Sequence, residues 1–205
     1  MKRSSDSASL DFSVIESCVD DLESKQLNPL KDYFWKGREK EKKHFPEKAG
    51  VYIFWWTGNL NLLLEKLIVC QYELKGPSNR KERIIVKFSK EWIERATINN
   101  SICLYVGKST NIRKRITSHI KPNTLNIWSK QGNENFSFHK KPNTTSQLRI
   151  GLERVFKNHS LEIIKNNISI SWIELEGDKN AINRFYIENK IISHYYALFN
   201  IDIER

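Results

Sequence analysis

The heptapeptide Gly50–Trp56 reads GVYIFWW, and the rest of this 205-residue sequence is interpreted outward from it. Its β-branched and aromatic residues predict a buried strand. Successive side chains of a strand point to opposite faces, so the heptapeptide should present two different surfaces. The two sets are Tyr52, Phe54 and Trp56 on one face and Val51, Ile53 and Trp55 on the other. A second apolar run at 102–106 predicts another strand, which ends at Gly107.

Periodicity predicts most of the remaining elements. Apolar residues at helical spacing follow the capping box formed by Ser13 and Glu16, and Ile112, Ile116 and Ile120 recur at intervals of four. Helices are predicted at 13–26, 59–67, 90–96, 112–120 and 146–158, and further strands at 83–88 and 168–175. A final long helix, capped by Asp178 or Asn180, is predicted to extend to about Tyr196. Gly76-Pro77 predicts a turn. The pattern indicates an α/β chain with a small sheet.

The sequence carries a formal net charge of +10, from 34 Lys and Arg against 24 Asp and Glu. The excess is concentrated in 105–165, which contains 12 basic and 3 acidic residues. A basic field of this density attracts nucleic acid, although a merely solvated basic surface has the same composition. Three scattered cysteines predict no disulfide framework. The polar N-terminus lacks the apolar core of a secretory signal, and we expect a soluble cytoplasmic protein without membrane association.

Three common kinds of site are excluded by spacing. Gly107-Lys108-Ser109 follows a strand like the end of a Walker A loop, but Ile102 stands where that loop needs its first glycine. The histidines and cysteines have no zinc-ligand spacing, and no serine nucleophile elbow is present.

A dispersed set of polar residues remains. Arg115 and His119 are four residues apart, so one helical face presents both. The other members are Tyr52, Tyr105, Lys108, Glu188 and Asn200. Each has an ordinary structural interpretation: solvent-facing helix residues, cross-strand aromatic pairs, or a paired carboxylate beside apolar neighbours.

Taken together, Gly50-Val51-Tyr52 and Tyr105-Val106-Gly107 resemble the paired signature of the GIY-YIG nuclease family, with valine for isoleucine in both triplets. Arg115 stands where the family has its essential helix arginine, and His119 where many members have histidine or tyrosine. Glu188 and Asn200, in ENKIISHYYALFN, resemble the family's metal-binding glutamate and the asparagine that follows it. The resemblance covers about 48–56 and 102–200.

The resemblance implies a divalent-metal-dependent endonuclease that hydrolyses DNA phosphodiester bonds. Glu188 would hold Mg²⁺, with Mn²⁺ as a substitute, and Arg115 would brace the scissile phosphate. Tyr52 would deprotonate or orient the attacking water, with Lys108 helping to lower its pKa. Tyr105 and His119 would hydrogen-bond the phosphate or the water, and Asn200 would fix the geometry of the site.

The resemblance also implies the fold: a small central, mostly antiparallel β-sheet flanked by helices. We divide the chain into an N-terminal helix and basic connecting arm (1–49), a nuclease domain (50–200) and a tail (201–205). The long gap between the triplets makes 57–101 an insertion, and 121–165 is a second one. A compact chain with internal insertions is most similar to the GIY-YIG type II restriction endonucleases.

A restriction enzyme of this kind predicts double-stranded DNA as substrate and a homodimer or higher homo-oligomer on it. The basic residues expected to bind nucleic acid are Arg113, Lys114, Lys140, Lys141, Arg149 and Arg154. The alternatives are a structure-selective or mobile-element nuclease, and a catalytically inert nucleic-acid-binding module of the same fold.

Overall fold

The computed structural model describes residues 9–33, 44–75, 83–120, 128–131, 135–138, 146–156 and 160–201. Several features of the sequence interpretation lie outside these ranges: positions 34–43 of the basic connecting arm, the Gly76-Pro77 turn, Lys140 with Lys141, and 202–205 of the tail. The division into domains and insertions stays a prediction.

Strands and helices are interspersed along the described chain. The strands are β1 (Asn28–Pro29), β2 (Gly50–Trp56), β3 (Gln71–Lys75), β4 (Arg83–Lys87), β5 (Thr97–Ile98), β6 (Ser101–Ser109), β7 (Trp128–Gln131), β8 (Asn135–Phe138) and β9 (Ile168–Glu174). The helices are α1 (Phe12–Ser24), α2 (Leu60–Val69), α3 (Lys90–Arg95), α4 (Ile112–Ile120), α5 (Gln147–Phe156), α6 (Ser160–Asn167) and α7 (Ala181–Tyr195). Short 3-10 helices lie at Leu30–Tyr33 and Asp178–Asn180.

Five of these strands form one antiparallel sheet in the order β1-β9-β2-β6-β5, and β3–β4 and β7–β8 form separate two-stranded ribbons. β2 is central and pairs with both β6 and β9, so all seven of its residues are buried. This architecture confirms the predicted fold class, a small antiparallel sheet flanked by helices.

The two faces of β2 pack against different helices, as its alternation predicts. The face with Tyr52, Phe54 and Trp56 belongs to a core that also includes buried residues of α2, α4, α5 and α6. The opposite face packs with buried residues of α1 and α7. The sheet therefore separates α4 from α7, and residues of these two helices can meet only beyond the end of a strand.

Helix boundaries correct two of the predictions. Asp11 is the N-cap of α1, because its carboxylate accepts hydrogen bonds from the amides of Ser13 and Val14 at 3.0 and 3.2 Å. Ser13 is therefore inside the helix, and the predicted capping box is wrong. At the start of α7 neither Asp178 nor Asn180 caps through its side chain; these residues form the preceding 3-10 turn.

None of the helices in the described ranges is both long enough and apolar enough to cross a membrane.

Candidate functional site

Two tyrosines from neighbouring strands define the floor of the site. The ring centroids of Tyr52 on β2 and Tyr105 on β6 are 6.4 Å apart. Tyr52 is paired in register with Gly107. A Cβ atom on Gly107 would lie 2.6 Å from Cζ of Tyr52 and would collide with its hydroxyl. The glycine of the second triplet thus provides the space that the first tyrosine occupies.

Helix α4 brings two polar side chains to these rings. Asn111 begins the helix by accepting a hydrogen bond from the Lys114 amide at 2.9 Å. Ile112 and Ile116 are fully buried and fix which face of the helix meets the sheet. That orientation places Arg115 beside the tyrosines and His119 against both rings, at centroid distances of 5.7 and 5.1 Å.

The His119 imidazole is held at both nitrogens. Nε2 shares a hydrogen bond of 2.9 Å with the Tyr52 hydroxyl, and Nδ1 shares one of 2.5 Å with Oγ of Ser146. Ser146 also accepts a hydrogen bond of 3.1 Å from the amide of Arg149 and so caps α5. The start of α5 therefore orients the histidine that contacts Tyr52.

Burial dominates the electrostatics of these rings. It raises the pKa of Tyr52 above its usual value, and the Tyr105 hydroxyl and the Glu188 carboxylate add to that effect, while Arg115 opposes it through charge and a hydrogen bond. Burial raises the pKa of Tyr105 in the same way, and Arg115 again opposes it. Both tyrosines are therefore neutral phenols at neutral pH.

Burial also lowers the pKa of His119 to about 3, with contributions from the positive charges of Arg115 and Arg149. The imidazole is thus neutral at physiological pH, with one nitrogen able to donate and the other able to accept. Burial acts to lower the pKa of the Arg115 guanidinium, but the charge interactions and hydrogen bonds with Tyr52 and Tyr105 have the larger effect. The net result is a raised pKa. Arg115 is the cation of this group.

Glu188 approaches from α7, on the other side of the sheet. Its Oε1 accepts a hydrogen bond of 3.1 Å from the Lys108 amide, and the Lys108 ammonium contacts Oε2. The Glu188 side chain is 14% exposed. Its negative charge reaches both tyrosine hydroxyls, since it contributes to raising the pKa of Tyr52 and of Tyr105. Side chains from helices on the two faces of the sheet therefore come together at the end of β6.

The Asn200 side chain forms hydrogen bonds with the backbone of Val106 on β6. Its Oδ1 accepts from the Val106 amide at 2.7 Å, and its Nδ2 donates to the Val106 carbonyl at 2.8 Å. The amides of Leu198 and Phe199 donate to the carbonyls of Cys103 and Leu104. This segment therefore runs beside β6 through hydrogen bonds, without forming a strand, and fixes the second triplet between its tyrosine and its glycine.

The structure reassigns Lys108. The sequence interpretation used it to lower the pKa of Tyr52, but its ammonium pairs with Glu188, and the cation that acts on Tyr52 is Arg115. Lys108 is placed at the carboxylate because it follows Gly107 at the exposed end of the strand.

A divalent cation at this position would have Glu188 as its protein ligand. Among the described residues no group of three or more His, Cys, Asp or Glu side chains could hold a metal. A single, partly exposed carboxylate that already attracts an ammonium suits Mg²⁺, which keeps several waters and needs few carboxylates. The donor set therefore fits Mg²⁺ better than zinc, which prefers several nitrogen or sulfur ligands.

The predicted nucleic-acid-binding residues are distributed unequally. Arg113 and Lys114 are exposed on α4, with Arg113 in an ion pair of 2.5 Å with Glu47. Arg154 is half-buried on α5. Arg149 is 0% exposed, donates to the His119 carbonyl at 3.5 Å and lies 3.8 Å from Glu153, so its prediction as a surface contact is wrong.

Two residues at the site had escaped the sequence interpretation. Ser146 has no recognisable spacing to the triplets, and only its N-cap position before an apolar helix could have singled it out. Phe185 precedes Glu188 by three residues, and its ring centroid lies 5.0 Å from the Lys108 ammonium. Its exposure on α7 could not be inferred from a helix whose apolar residues occupy several faces.

Comparison with protein families bears on this geometry. A family model described as GIY-YIG catalytic domain matches residues 92–168, which include Tyr105, Gly107, Arg115 and His119. The match supports the GIY-YIG nuclease family and implies a nuclease acting on nucleic acid. Comparison with curated proteins and with solved structures gives no significant match. Tyr52 and Glu188 lie outside the matched range and are connected to it by the contacts above.

Proposed function

We propose that this protein is a divalent-metal-dependent endonuclease that hydrolyses phosphodiester bonds in double-stranded DNA. The observation that carries the proposal is the convergence of three distant segments: the paired tyrosines Tyr52 and Tyr105, the guanidinium of Arg115, and the carboxylate of Glu188, whose charge acts on both hydroxyls. Phosphodiester hydrolysis needs a positioned water, positive charge on the phosphoryl oxygens and support for the leaving oxygen.

Arg115 would bind the phosphate. Its planar fork matches two phosphate oxygens and keeps its charge at any physiological pH. The two tyrosine hydroxyls beside it offer further hydrogen bonds. Because Ile112 and Ile116 anchor α4 in the core, the guanidinium is positioned before substrate arrives, and such preorganised charge is the largest contribution in many enzymes.

Glu188 would hold the divalent cation. When bound, that cation neutralises negative charge that develops on the phosphoryl and leaving oxygens. For the carboxylate to take this role, the Lys108 ammonium must leave Oε2. Lys108 is 38% exposed and has a flexible stem, so its ammonium can turn toward a phosphate while its amide keeps Oε1 in place.

Tyr52 would orient the attacking water as a neutral phenol. Its raised pKa opposes ionisation at neutral pH, so proton removal by Tyr52 requires additional positive charge close to its oxygen. Arg115 supplies part of that charge. His119 keeps the hydroxyl at a fixed position through its 2.9 Å hydrogen bond, and Ser146 fixes the imidazole from behind.

The finer assignments are part of the same proposal. Arg113 and Lys114 are exposed on the helix that carries Arg115, so they can reach phosphates flanking the cut. Restriction specificity and a homodimer or higher homo-oligomer on DNA are proposed from the resemblance to the compact restriction enzymes, and a cytoplasmic location stays a prediction. Lys140, Lys141 and Arg154 stay predicted contributors to affinity.

The test is cleavage of supercoiled plasmid DNA with Mg²⁺ and with EDTA. We expect conversion to nicked and linear forms with Mg²⁺, and none with EDTA. Discrete fragments from a large genome would identify a restriction enzyme, whereas nicking confined to branched substrates would identify the structure-selective alternative. DNA binding without cleavage under any divalent cation would support the inert module and refute the proposal.

Substitution of Gly107 by Ala should displace the two tyrosine rings of the site and slow cleavage. The new methyl group would collide with the Tyr52 hydroxyl and approach Cε1 of Tyr105 at 3.0 Å, so both rings must move. Displacing a catalytic group by about 1 Å can cost roughly a hundredfold in rate. We expect that loss in single-turnover cleavage, with a modest loss in thermal stability.

Gly58→Ala is the matched control, because its Cβ would lie 2.6 Å from Cβ of Asn167, just beyond the end of β2 that is distant from Tyr52. It should lower thermal stability without removing activity at temperatures where the variant is folded. A folded Gly107→Ala variant that cleaves at the wild-type rate would contradict the placement of Tyr52.

Removal of the Ser146 hydroxyl should lower kcat by about tenfold, since the His119 ring loses one of its two hydrogen bonds. Ser146→Ala also removes a helix cap, which costs about 1 kcal/mol of stability. Ser89→Ala removes an equivalent cap on α3, where Oγ accepts from the Trp92 amide at 3.1 Å, and it should lower stability without changing kcat. Ser146→Thr should restore kcat; equal kcat values for Ser146→Ala and wild type would show that the contact is only structural.

A further inference from the structure

An exposed apolar patch lies on α7 immediately before Glu188. It consists of Ile182, Phe185 and Tyr186; the two aromatic residues are 49% and 47% exposed. The aromatic rings pack edge to face with centroids 5.5 Å apart. Large aromatic side chains that remain exposed next to one another on a helix mark a binding surface more often than scattered apolar residues do.

The patch is continuous with the candidate site. Phe185 and Glu188 are three residues apart, so they are neighbours on the same face of the helix. The Lys108 ammonium lies 5.0 Å from the Phe185 ring centroid and also contacts the Glu188 carboxylate. A single cationic side chain therefore contacts both the aromatic surface and the carboxylate, so Phe185 lies directly beside the position proposed for the scissile phosphate.

We propose that Phe185, supported by Tyr186, is a stacking subsite for an unstacked nucleobase of the strand being cut, next to the scissile phosphate. The inference rests on the proposed function. Three residues of α-helix advance about 4.5 Å, between one and two base steps of about 3.4 Å, so the ring lies within reach of the adjoining nucleotide. Base–aromatic stacking tolerates any sequence, because every base has a flat π-face.

The apolar, aromatic character of the patch favours a nucleobase over a phosphate or a sugar as its ligand. A phosphate or sugar would use Lys108 and gain little from two exposed rings, whereas a base offers a flat apolar surface that matches them. Bases inside a paired duplex already stack on both faces, so the subsite requires a base that has left the stack. It follows that an unpaired base beside the cut should increase affinity.

The test uses duplexes that carry 2-aminopurine, either fully paired or in a single-nucleotide bulge, in EDTA so that cleavage does not interfere. Wild-type protein should quench the fluorescence of the bulged probe and bind it more tightly than the paired one. Phe185→Ala should lower affinity for the bulged probe by about tenfold, the scale of losing one base–aromatic stack, and abolish the quenching. Phe185→Trp should retain both.

Tyr196→Ala serves as the control, because Tyr196 is an exposed aromatic residue at the C-cap of α7, at the opposite end from Phe185. This variant should behave as wild type. Unchanged affinity and unchanged quenching in Phe185→Ala would overturn the stacking subsite. A Phe185→Ala variant with a changed sedimentation coefficient but unchanged quenching would also overturn it, because the patch would then be a protein–protein interface. If either contradicting result is found while the wild-type protein still cleaves plasmid DNA with Mg²⁺, only the stacking inference fails. If wild type neither binds nor cleaves DNA, the proposed function fails with it.

Discussion

Glu188→Gln should reduce Mg²⁺-dependent cleavage by about a thousandfold or more while leaving DNA binding measurable. The substitution keeps the size of the side chain but removes the negative charge that would hold the cation. The cation supplies several kcal/mol of transition-state stabilisation, and about 1.4 kcal/mol corresponds to a tenfold change in rate. Single-turnover cleavage of plasmid DNA measures the loss, and fluorescence anisotropy measures binding.

Glu174→Gln is the matched control for that experiment. Glu174 is an exposed carboxylate at the end of β9, paired with Lys48 at 3.0 Å, and the same chemical change there should leave cleavage intact. Removing the Glu188 charge also releases Lys108, so DNA affinity without metal should stay equal or increase. Cleavage by Glu188→Gln at the wild-type rate would show that Glu188 is not the metal ligand.

Arg115→Ala should lower the rate of cleavage by roughly a thousandfold, the lower range found for arginines that stabilise a transferring phosphoryl group. The guanidinium is the cation that acts on both tyrosines, so its removal deprives the site of phosphate recognition and of the charge that moderates the Tyr52 pKa. Arg115→Lys keeps a positive charge but loses the planar fork, and we expect partial activity between the two.

Arg95→Ala provides the comparison for Arg115→Ala. Arg95 is an exposed arginine on α3 that pairs with Glu91 at 3.0 Å, and its loss should leave kcat unchanged. Circular dichroism would verify that each variant is folded. An Arg115→Ala enzyme within tenfold of wild type would remove the guanidinium from the proposed mechanism.

Local rules predicted the elements that position the site. The boundaries of the strand Gly50–Trp56 and of the helix Ile112–Ile120 are confirmed, since each has a clear periodicity and a distinct end. The two faces of β2 also follow from its alternation. These two elements carry Tyr52, Arg115 and His119, so pattern alone predicted the elements that hold three of the seven candidate residues, whereas the resemblance supplied their roles.

Elements with weak periodicity escaped prediction. β3, the β7–β8 ribbon and α6 are short, and polar residues interrupt their apolar patterns. The prediction for Arg149 was wrong because its positive charge suggested an exposed side chain that binds nucleic acid. The side chain is instead buried beside His119 and Glu153. Composition describes a segment as a whole, whereas burial depends on where each side chain lies on its helix.

The convergence of the site depends on long-range packing that spacing does not encode. Lys108 and Glu188 are separated by 80 positions and meet because α7 packs on the sheet with Glu188 at the exposed end of β6. The role of Ser146 likewise depends on where α5 begins relative to α4. The resemblance to a known family supplied Glu188 and Asn200 as members of the site, and the structure supplied the contacts that explain their positions.

The proposed mechanism requires one phosphate and one divalent cation to be held together between Glu188, Arg115 and Tyr52. A crystal structure of the Tyr52→Phe variant with a DNA duplex and Mn²⁺ tests it directly, because anomalous scattering locates the metal. We predict an anomalous peak within coordination distance of the Glu188 carboxylate, a phosphate in contact with the Arg115 guanidinium, and the Lys108 ammonium moved away from Oε2. A peak bound elsewhere on the chain, with Lys108 still paired to Glu188 and no phosphate at Arg115, would contradict the account.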